Sequence, residues 1–183
     1  GMTTNFIDGG AGDDSISGLG GGDTLLGGAG DDSLSGDAGD DTIFGGADHD
    51  LISGGTGNDQ LFGQDGDDTI NVSQGDSAEG GDGDDVFIVT DLGETDTGTI
   101  TIIGGEGDET AGDTLVLTPD IGRDDITFTN TDDAAEGLSG TFNLNGAVVN
   151  FSEIENIICF TPGARILTQW GERPIEMLQL GDM

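Results

Sequence analysis

A nine-residue repeat occupies much of the first half of this 183-residue chain and restricts how the chain can fold. Cut from Gly9, residues 9–71 divide into seven units: GGAGDDSIS, GLGGGDTLL, GGAGDDSLS, GDAGDDTIF, GGADHDLIS, GGTGNDQLF and GQDGDDTIN. The sixth place is always aspartate and the eighth is always Ile or Leu. Because one such unit cannot bury an apolar face alone, tandem units of this length predict a stacked solenoid.

Each unit contains the residues for one tight turn and one short strand. Glycines recur at the first, second and fourth places, where they permit positive φ angles. The last three places hold a polar, an apolar and a variable residue, which predicts a strand whose apolar side chain points inward. Two units would then form one coil of 18 residues, with two turns and two strands.

The ninth place supports this two-unit coil independently. It alternates strictly between polar and apolar residues along the seven units: Ser17, Leu26, Ser35, Phe44, Ser53, Phe62 and Asn71. Stacking would align Leu26, Phe44 and Phe62 as an apolar stripe on one sheet only. Since large apolar patches usually mark an interface, we expect the C-terminal segment or another copy of the protein to cover the stripe. Three tolerated exposed residues are the alternative.

The repeat loses its register after the seventh unit. Residues 72–79 are one residue short and break the register, and GGDGDDVFI at 80–88 restores it. Asp85 and Phe87 take the sixth and eighth places of that unit. The sequence GGEGDETAGDTLVL at 104–117 looks like a further degenerate unit with an insertion, in which Asp113 is a candidate ion ligand.

The pattern G-G-x-G-x-D-x-U-x resembles the calcium-binding nonapeptides of RTX proteins over residues 9–88. The resemblance implies an all-β fold, a parallel β-roll, for residues 3–90. Calcium ions would bind between turns of units two apart, and would number about five or more. The expected metal ligands are the aspartates of the sixth place: Asp14, Asp23, Asp32, Asp41, Asp50, Asp59, Asp68 and Asp85.

The charge of the chain also favours cations as partners. Thirty-eight Asp and Glu residues stand against three arginines and no lysine, a net charge of −35. Nucleic acid and anionic membranes both need a basic surface, so they are excluded as partners, and no apolar run approaches the ~18 residues of a membrane span. Carboxylates stacked ~4.8 Å apart repel by roughly 1 kcal/mol in water and about 3.5 kcal/mol at an effective dielectric of 20.

Calcium is the cation that best fits these ligands. Carboxylate and carbonyl oxygens suit Ca²⁺, which accepts several of them in a flexible geometry, whereas Mg²⁺ needs a near-ideal octahedron. Zinc prefers His and Cys, and the chain has one of each, His49 and Cys159. We expect His49 to be an ordinary exposed turn residue. The aspartates of the fifth place are expected to be solvated: Asp13, Asp31, Asp40, Asp67 and Asp84.

From residue 89 the composition changes to short segments rich in β-branched residues, separated by Gly, Asp and Asn. These segments predict strands at 99–103, 113–117, 126–129, 141–144 and 147–151. Stacked repeats need a distinct terminal unit. Residues 91–158 are therefore interpreted as a C-terminal β-rich cap on the roll, with a small separate β domain as the alternative.

The last segment, CFTPGARILTQWGERPIEMLQLGDM at 159–183, resembles the beginning of a Hint (Hedgehog/intein) domain. In that family the opening cysteine attacks the carbonyl of the preceding residue, so the resemblance makes Cys159 the candidate nucleophile and Ile158 the residue attacked. The Thr-x-x-His element of that family follows further downstream, and the only histidine here is His49. Cys159 is therefore expected to act only in a longer precursor.

Other enzyme classes lack their motifs, since neither H-E-x-x-H nor G-x-S-x-G occurs. The chain is predicted to be a non-enzymatic, secreted calcium-binding repeat protein whose folding is driven by Ca²⁺. RTX proteins are typically exported unfolded by a type I system without an N-terminal signal peptide, so the expected location is extracellular. The alternatives are a self-cleaving Hint precursor and an adhesive or surface-associated module that uses the apolar stripe.

Overall fold

Short strands from successive repeats stack into two sheets. The computed structural model describes residues 3–90, 98–105, 110–117, 127–130, 137–144, 146–159, 165–168 and 171–174, and all regular structure within these ranges is β. The strands are β1 Phe6–Ala11, β2 Ser15–Ser17, β3 Thr24–Ala29, β4 Ser33–Ala38, β5 Thr42–Ala47, β6 Leu51–Thr56, β7 Gln60–Asp65, β8 Thr69–Val72, β9 Ser77–Asp82, β10 Val86–Val89, β11 Ile100–Ile103, β12 Thr114–Leu117, β13 Thr127–Asn130, β14 Leu138–Leu144, β15 Ala147–Ile154, β16 Asn156–Cys159, β17 Arg165–Thr168 and β18 Gly171–Pro174.

Strands from alternate repeats are neighbours. Sheet A has the order β1-β3-β5-β7-β9-β11-β15-β14-β13, and sheet B has the order β18-β17-β16-β12-β10-β8-β6-β4-β2. Neighbours are parallel from β1 to β15 in sheet A and from β2 to β16 in sheet B. Leu25 pairs with Ile43 and Ile43 with Leu61, which is the predicted step of one two-unit coil. The predicted parallel β-roll is confirmed.

The core lies between the two sheets and follows the eighth place of the repeat. The side chains at the eighth place are buried, because alternate residues of a half-buried strand point to the same side. They are Ile16, Leu25, Leu34, Ile43, Ile52, Leu61 and Ile70. Larger buried side chains occur only further along the described chain, at Phe87, Phe142 and Phe151. The first coils therefore bury little apolar surface per residue, and the C-terminal strands bury more.

The one-residue deletion in the repeat at residues 72–79 does not shift the strands. Ala78 pairs with Leu61 and Glu79 pairs with Phe62, so β9 stays in register with β7. The turn before β9 takes up the missing residue, where the Asp76 backbone N–H donates to the Ser73 carbonyl at 3.3 Å. A deletion in a turn shifts no side chain to the opposite face, whereas a deletion in a strand would.

The strands predicted after residue 98 are present and continue both sheets. β11 and β15 extend sheet A in parallel, and β12 and β16 extend sheet B. Antiparallel strands then end each sheet, β14 and β13 on sheet A and β17 and β18 on sheet B. The proposed division into 3–90, 91–158 and 159–183, and the choice between a cap and a separate domain, remain predictions.

The apolar stripe of Leu26, Phe44 and Phe62 is aligned on sheet A as predicted. Leu26 pairs with Phe44, and Phe44 pairs with Phe62. The two phenylalanine rings are stacked with centroids 4.9 Å apart and planes 10° apart, and all three side chains are half-buried. The alignment is confirmed, and its cover by the C-terminal segment or a second copy remains a prediction.

Leu19 occupies a backbone conformation that favours glycine. Its φ is +71° and its side chain is 77% exposed. Gly10, Gly28 and Gly46 hold the same second place in other units, with φ angles between +98° and +129°. Left-handed backbone costs a residue with a Cβ atom ~1–2 kcal/mol, and an exposed side chain gains little burial in return.

Replacing Leu19 by glycine is therefore expected to stabilise the folded protein by about 0.5–1 kcal/mol. The measurement is the thermal unfolding midpoint in saturating calcium. Leu19→Ala is the matched control, because it removes the same exposed side chain but keeps the Cβ atom. An equal gain in both variants would show that apolar exposure, and not backbone strain, is what destabilises this turn.

Candidate metal centre

The sixth-place aspartates stand in two rows, one at each edge of the roll. In both rows the backbone N–H of one aspartate donates to Oδ1 of the aspartate in the next coil, at 2.6–3.0 Å. Row one contains Asp14, Asp32, Asp50, Asp68, Asp85 and Asp113, and row two contains Asp23, Asp41, Asp59 and Asp76. The rows bring all eight predicted ligands into regular stacks, together with Asp113.

The second oxygen of these carboxylates, Oδ2, points to the inner side of the turn. Among the residues that the structure describes, seven aspartates have a buried Oδ2 with no hydrogen-bond partner: Asp14, Asp23, Asp32, Asp41, Asp50, Asp59 and Asp68. A buried polar atom without a partner costs ~1–3 kcal/mol, and a charged one costs more. The repetition of this arrangement along both rows indicates a ligand role for Oδ2.

A backbone carbonyl lies near most of the inward oxygens. A Cβ atom on Gly9 would stand 2.7 Å from Asp14 Oδ2 and 2.8 Å from the Gly27 carbonyl oxygen. The glycine at the first place thus leaves room between a carboxylate and a carbonyl of the next coil, and Ca²⁺ accepts both kinds of oxygen. No three His, Cys, Asp or Glu side chains converge within the described ranges, so a calcium site here would take most of its ligands from the backbone.

Comparison with known families supports this geometry. The family model for the RTX calcium-binding nonapeptide repeat (four copies) matches residues 3–34, 17–52 and 44–78. These segments are RTX calcium-binding repeats. No curated protein sequence matches the chain. The match covers residues 3–78 together, and the buried Oδ2 atoms of the turns in that part of the chain fit a calcium ion.

Burial changes the acidity of the carboxylates in the middle of the RTX rows. It raises the pKa of Asp59 and Asp68 to about 7 and that of Asp50 to about 6, although backbone hydrogen bonds act to lower them. Neighbouring carboxylates, such as Asp41 beside Asp59, add to the increase. In the metal-free roll these groups therefore retain protons at a pH where an ordinary aspartate is charged.

Because these pKa values are higher in the roll than in the unfolded chain, protonation stabilises the metal-free fold. That stabilisation is complete below the ordinary aspartate pKa of about 4 and is lost as the pH rises through 6 to 7. Protein freed of metal on a chelating resin should be more folded at pH 5 than at pH 8, as measured by far-UV circular dichroism. A metal-free chain that is more folded at pH 8 would contradict this expectation.

The fifth place forms a second, outer ladder that the sequence analysis missed. On the edge of the roll that carries row one, the backbone N–H of each fifth-place residue donates to the fifth-place side chain of the preceding coil. These bonds run from Asp31 to Asp13 Oδ1, from His49 to Asp31 Oδ1, from Asp67 to His49 Nδ1 and from Asp84 to Asp67 Oδ1, at 2.9–3.2 Å. Most of these side chains are exposed, as predicted. They are also structural, because each one joins two coils of the RTX repeats.

Asp84 ends this outer ladder and binds the turn at residues 110–112, within the degenerate unit at 104–117. Its Oδ1 accepts the backbone N–H groups of Thr110, Ala111 and Gly112 at 2.8–2.9 Å, and its Oδ2 accepts the Thr110 hydroxyl at 2.6 Å. Burial acts to raise the pKa of Asp84, but these four hydrogen bonds outweigh it and hold the pKa at about 2. The bonds place the turn directly before Asp113, the last aspartate of row one.

Replacing Asp84 by alanine is expected to destabilise the calcium-loaded protein by about 2 kcal/mol, since hydrogen bonds to a charged group contribute ~1.5–3 kcal/mol. The measurement is urea unfolding in saturating calcium. Asp67→Ala removes an equal charge from the same ladder but only one hydrogen bond, from the Asp84 N–H. Equal losses in the two variants would contradict a specific role of Asp84 in holding the turn.

Two acidic residues that the sequence did not predict also take part, Asp76 in row two and Glu155 beyond the end of row one. Asp76 Oδ1 accepts the Asp59 N–H at 3.0 Å, while its Oδ2 accepts the Ser73 N–H at 2.7 Å and the Ser73 hydroxyl at 3.1 Å. Glu155 Oε2 accepts the Asp113 N–H at 2.7 Å. Asp76 was missed because the unit at 72–79 is one residue short. The signal that could have found it is its position directly after Gly75 and directly before the exposed strand residue Ser77.

Cys159, the candidate Hint nucleophile, is the last residue of β16, where its backbone pairs with that of Leu117. Ile158 precedes it in the same strand, and β17 runs antiparallel to β16. Residues 160–164, 169–170 and 175–183 of the proposed Hint segment lie outside the described residues. The resemblance to a Hint domain remains a prediction.

Proposed function

We propose that calcium ions bound between the stacked turns drive the folding of this chain. The observation that carries the proposal is the row of buried Oδ2 atoms that lack a hydrogen-bond partner among the described residues, from Asp14 to Asp68. The two rows would hold about five or more ions, one between each pair of stacked turns of the same row. The ligands would be Asp14, Asp23, Asp32, Asp41, Asp50, Asp59, Asp68 and Asp85.

Different atoms of the turn would have different roles in such a site. From Asp23 onward, Oδ1 of the aspartate accepts a backbone N–H of the preceding coil, which fixes the carboxylate relative to its neighbour. Oδ2 and a backbone carbonyl of the next coil supply oxygen ligands on the inner side. A bound divalent cation supplies the positive charge that offsets the repulsion between stacked carboxylates.

The same coupling suits export of an unfolded chain. Extracellular calcium modules bind Ca²⁺ at about 10⁻⁴–10⁻³ M, so a roll of this kind would remain unfolded in a calcium-poor cytosol and fold outside the cell. No helix in the described ranges is long and apolar enough to cross a membrane. We infer a non-enzymatic extracellular protein, exported by a type I system as RTX proteins typically are.

A calcium titration of the metal-free chain at pH 7.5 and constant ionic strength tests the proposal. Far-UV circular dichroism should change from coil to β structure with a midpoint of about 10⁻⁴–10⁻³ M, and mass spectrometry under native conditions should count about five or more bound ions. Asp41→Asn should raise the midpoint severalfold, because it replaces the inward Oδ2 by an amide while keeping an acceptor for the Asp23 N–H.

Asp40→Asn is the matched control, since it removes the same charge from the neighbouring exposed residue. Its midpoint should stay within about twofold of the parent, because an exposed charge contributes little. Three results would overturn the proposal: a native spectrum in chelator at pH 7.5, folding by NaCl or Mg²⁺ as effective as folding by Ca²⁺, or equal shifts for the two variants.

A further inference from the structure

A shallow depression lies on the outer face of sheet A at the end of the apolar stripe. It measures about 230 Å³ and is lined by Phe44, Phe62, Gln64, Glu79, Gly80 and Gly81. Two aromatic rings and one carboxylate thus meet at one place on a sheet whose other side covers the core. Calcium binding at the turns uses none of these side chains.

The stacking of the rings determines which face is open to a ligand. Phe44 and Phe62 are stacked at 4.9 Å along the direction in which the strands succeed one another. Phe44 covers one face of the Phe62 ring, so the other face is turned toward β9. Glu79 occupies the matching position on β9, where its side chain is exposed.

We propose that this depression binds the guanidinium group of an arginine side chain from a partner polypeptide. A cation over the face of an aromatic ring is attracted by the ring quadrupole, and a guanidinium can stack on a ring and pair with a carboxylate at the same time. The free face of Phe62 and the carboxylate of Glu79 offer these two contacts side by side. Gly80 and Gly81 add no side chain to the lining.

Charge favours a cationic occupant over an apolar one. Covering Glu79 with an apolar surface would remove a carboxylate from water without a partner, which is costly. The net charge of −35 attracts basic segments to the roll at long range. Asp8 pairs with Leu26 at the opposite end of the stripe, so that the apolar surface has an acidic residue at each end. Only the Glu79 end adjoins a ring face.

The test uses the full chain, labelled with ¹⁵N and saturated with calcium, and follows amide shifts by NMR during titration with the capped tripeptide acetyl-Gly-Arg-Gly-amide. Peptides with citrulline or lysine in place of arginine are the matched probes, since citrulline keeps the shape and loses the charge. Shifts should concentrate on residues 62–64 and 79–81. The affinity should follow the order arginine, lysine, citrulline.

Two variants should weaken binding of the arginine peptide, and one should not. Glu79→Gln and Phe62→Leu are each expected to lower the affinity about two- to fivefold, the range of an exposed cation–π or charged contact. Asp8→Asn removes an equal charge from the other end of the stripe and should change the affinity less than twofold. The far-UV spectrum of each variant in calcium confirms that the roll is folded, so a failure of calcium-driven folding is told apart from a failure of this site.

Several results would overturn the proposal. These are the absence of shifts around Phe62, equal binding of citrulline and arginine peptides, or an Asp8→Asn effect as large as that of Glu79→Gln. Calcium-dependent self-association that disappears when Arg123, Arg165 and Arg173 are replaced by glutamine would assign the depression to a second copy of the chain, and would equally overturn a foreign partner.

Discussion

The structure depends on the stacking of like-charged carboxylates at the spacing of parallel strands. Each sixth-place aspartate from Asp23 onward is held by a backbone N–H of the preceding coil, as Asp50 is held by Asp32. The hydrogen bond that joins two coils therefore also buries a charge between them. Burial outweighs the hydrogen bond in the middle of the rows, where the pKa of Asp59 and Asp68 rises to about 7. Protons or a cation would offset the repulsion between these stacked carboxylates.

The apolar core grows from the first coils toward the C-terminal end of the roll. The first coils bury one Ile or Leu per unit, whereas Phe87, Phe142 and Phe151 enlarge the core near the C-terminal end. Row two ends at Asp76, whose Oδ2 is bound by Ser73. At Asp76, hydrogen bonds from the neutral Ser73 therefore satisfy the second carboxylate oxygen, close to the point in the chain where larger side chains enter the core.

The periodic sequence predicted the features that repeat, and it failed where the period failed. Ile43 and Leu61 were placed in the core, and Phe44 and Phe62 on one stripe, because side-chain direction follows directly from place in the unit. Asp76 was missed because counting by nine cannot see that a turn absorbs a deletion. Glu155 accepts the N–H of Asp113 across 42 residues, and no local pattern encodes such a contact. The bonds to Asp84 depend on the folded path of an insertion, which composition does not specify.

The two acidic places of the repeat differ in what they tolerate, and the difference separates structural from ligand chemistry. In row one the fifth place needs only an acceptor atom, since His49 Nδ1 accepts the Asp67 N–H in a position where neighbouring coils use Asp31 and Asp67. In row two the fifth place even holds Gly22 and Asn58. The sixth place makes an equivalent hydrogen bond through Oδ1, for which an asparagine would suffice, yet all seven regular units carry aspartate there. A hydrogen bond alone does not require that second, negatively charged oxygen. A cation bound on the inner side of the turn would require that oxygen as a ligand.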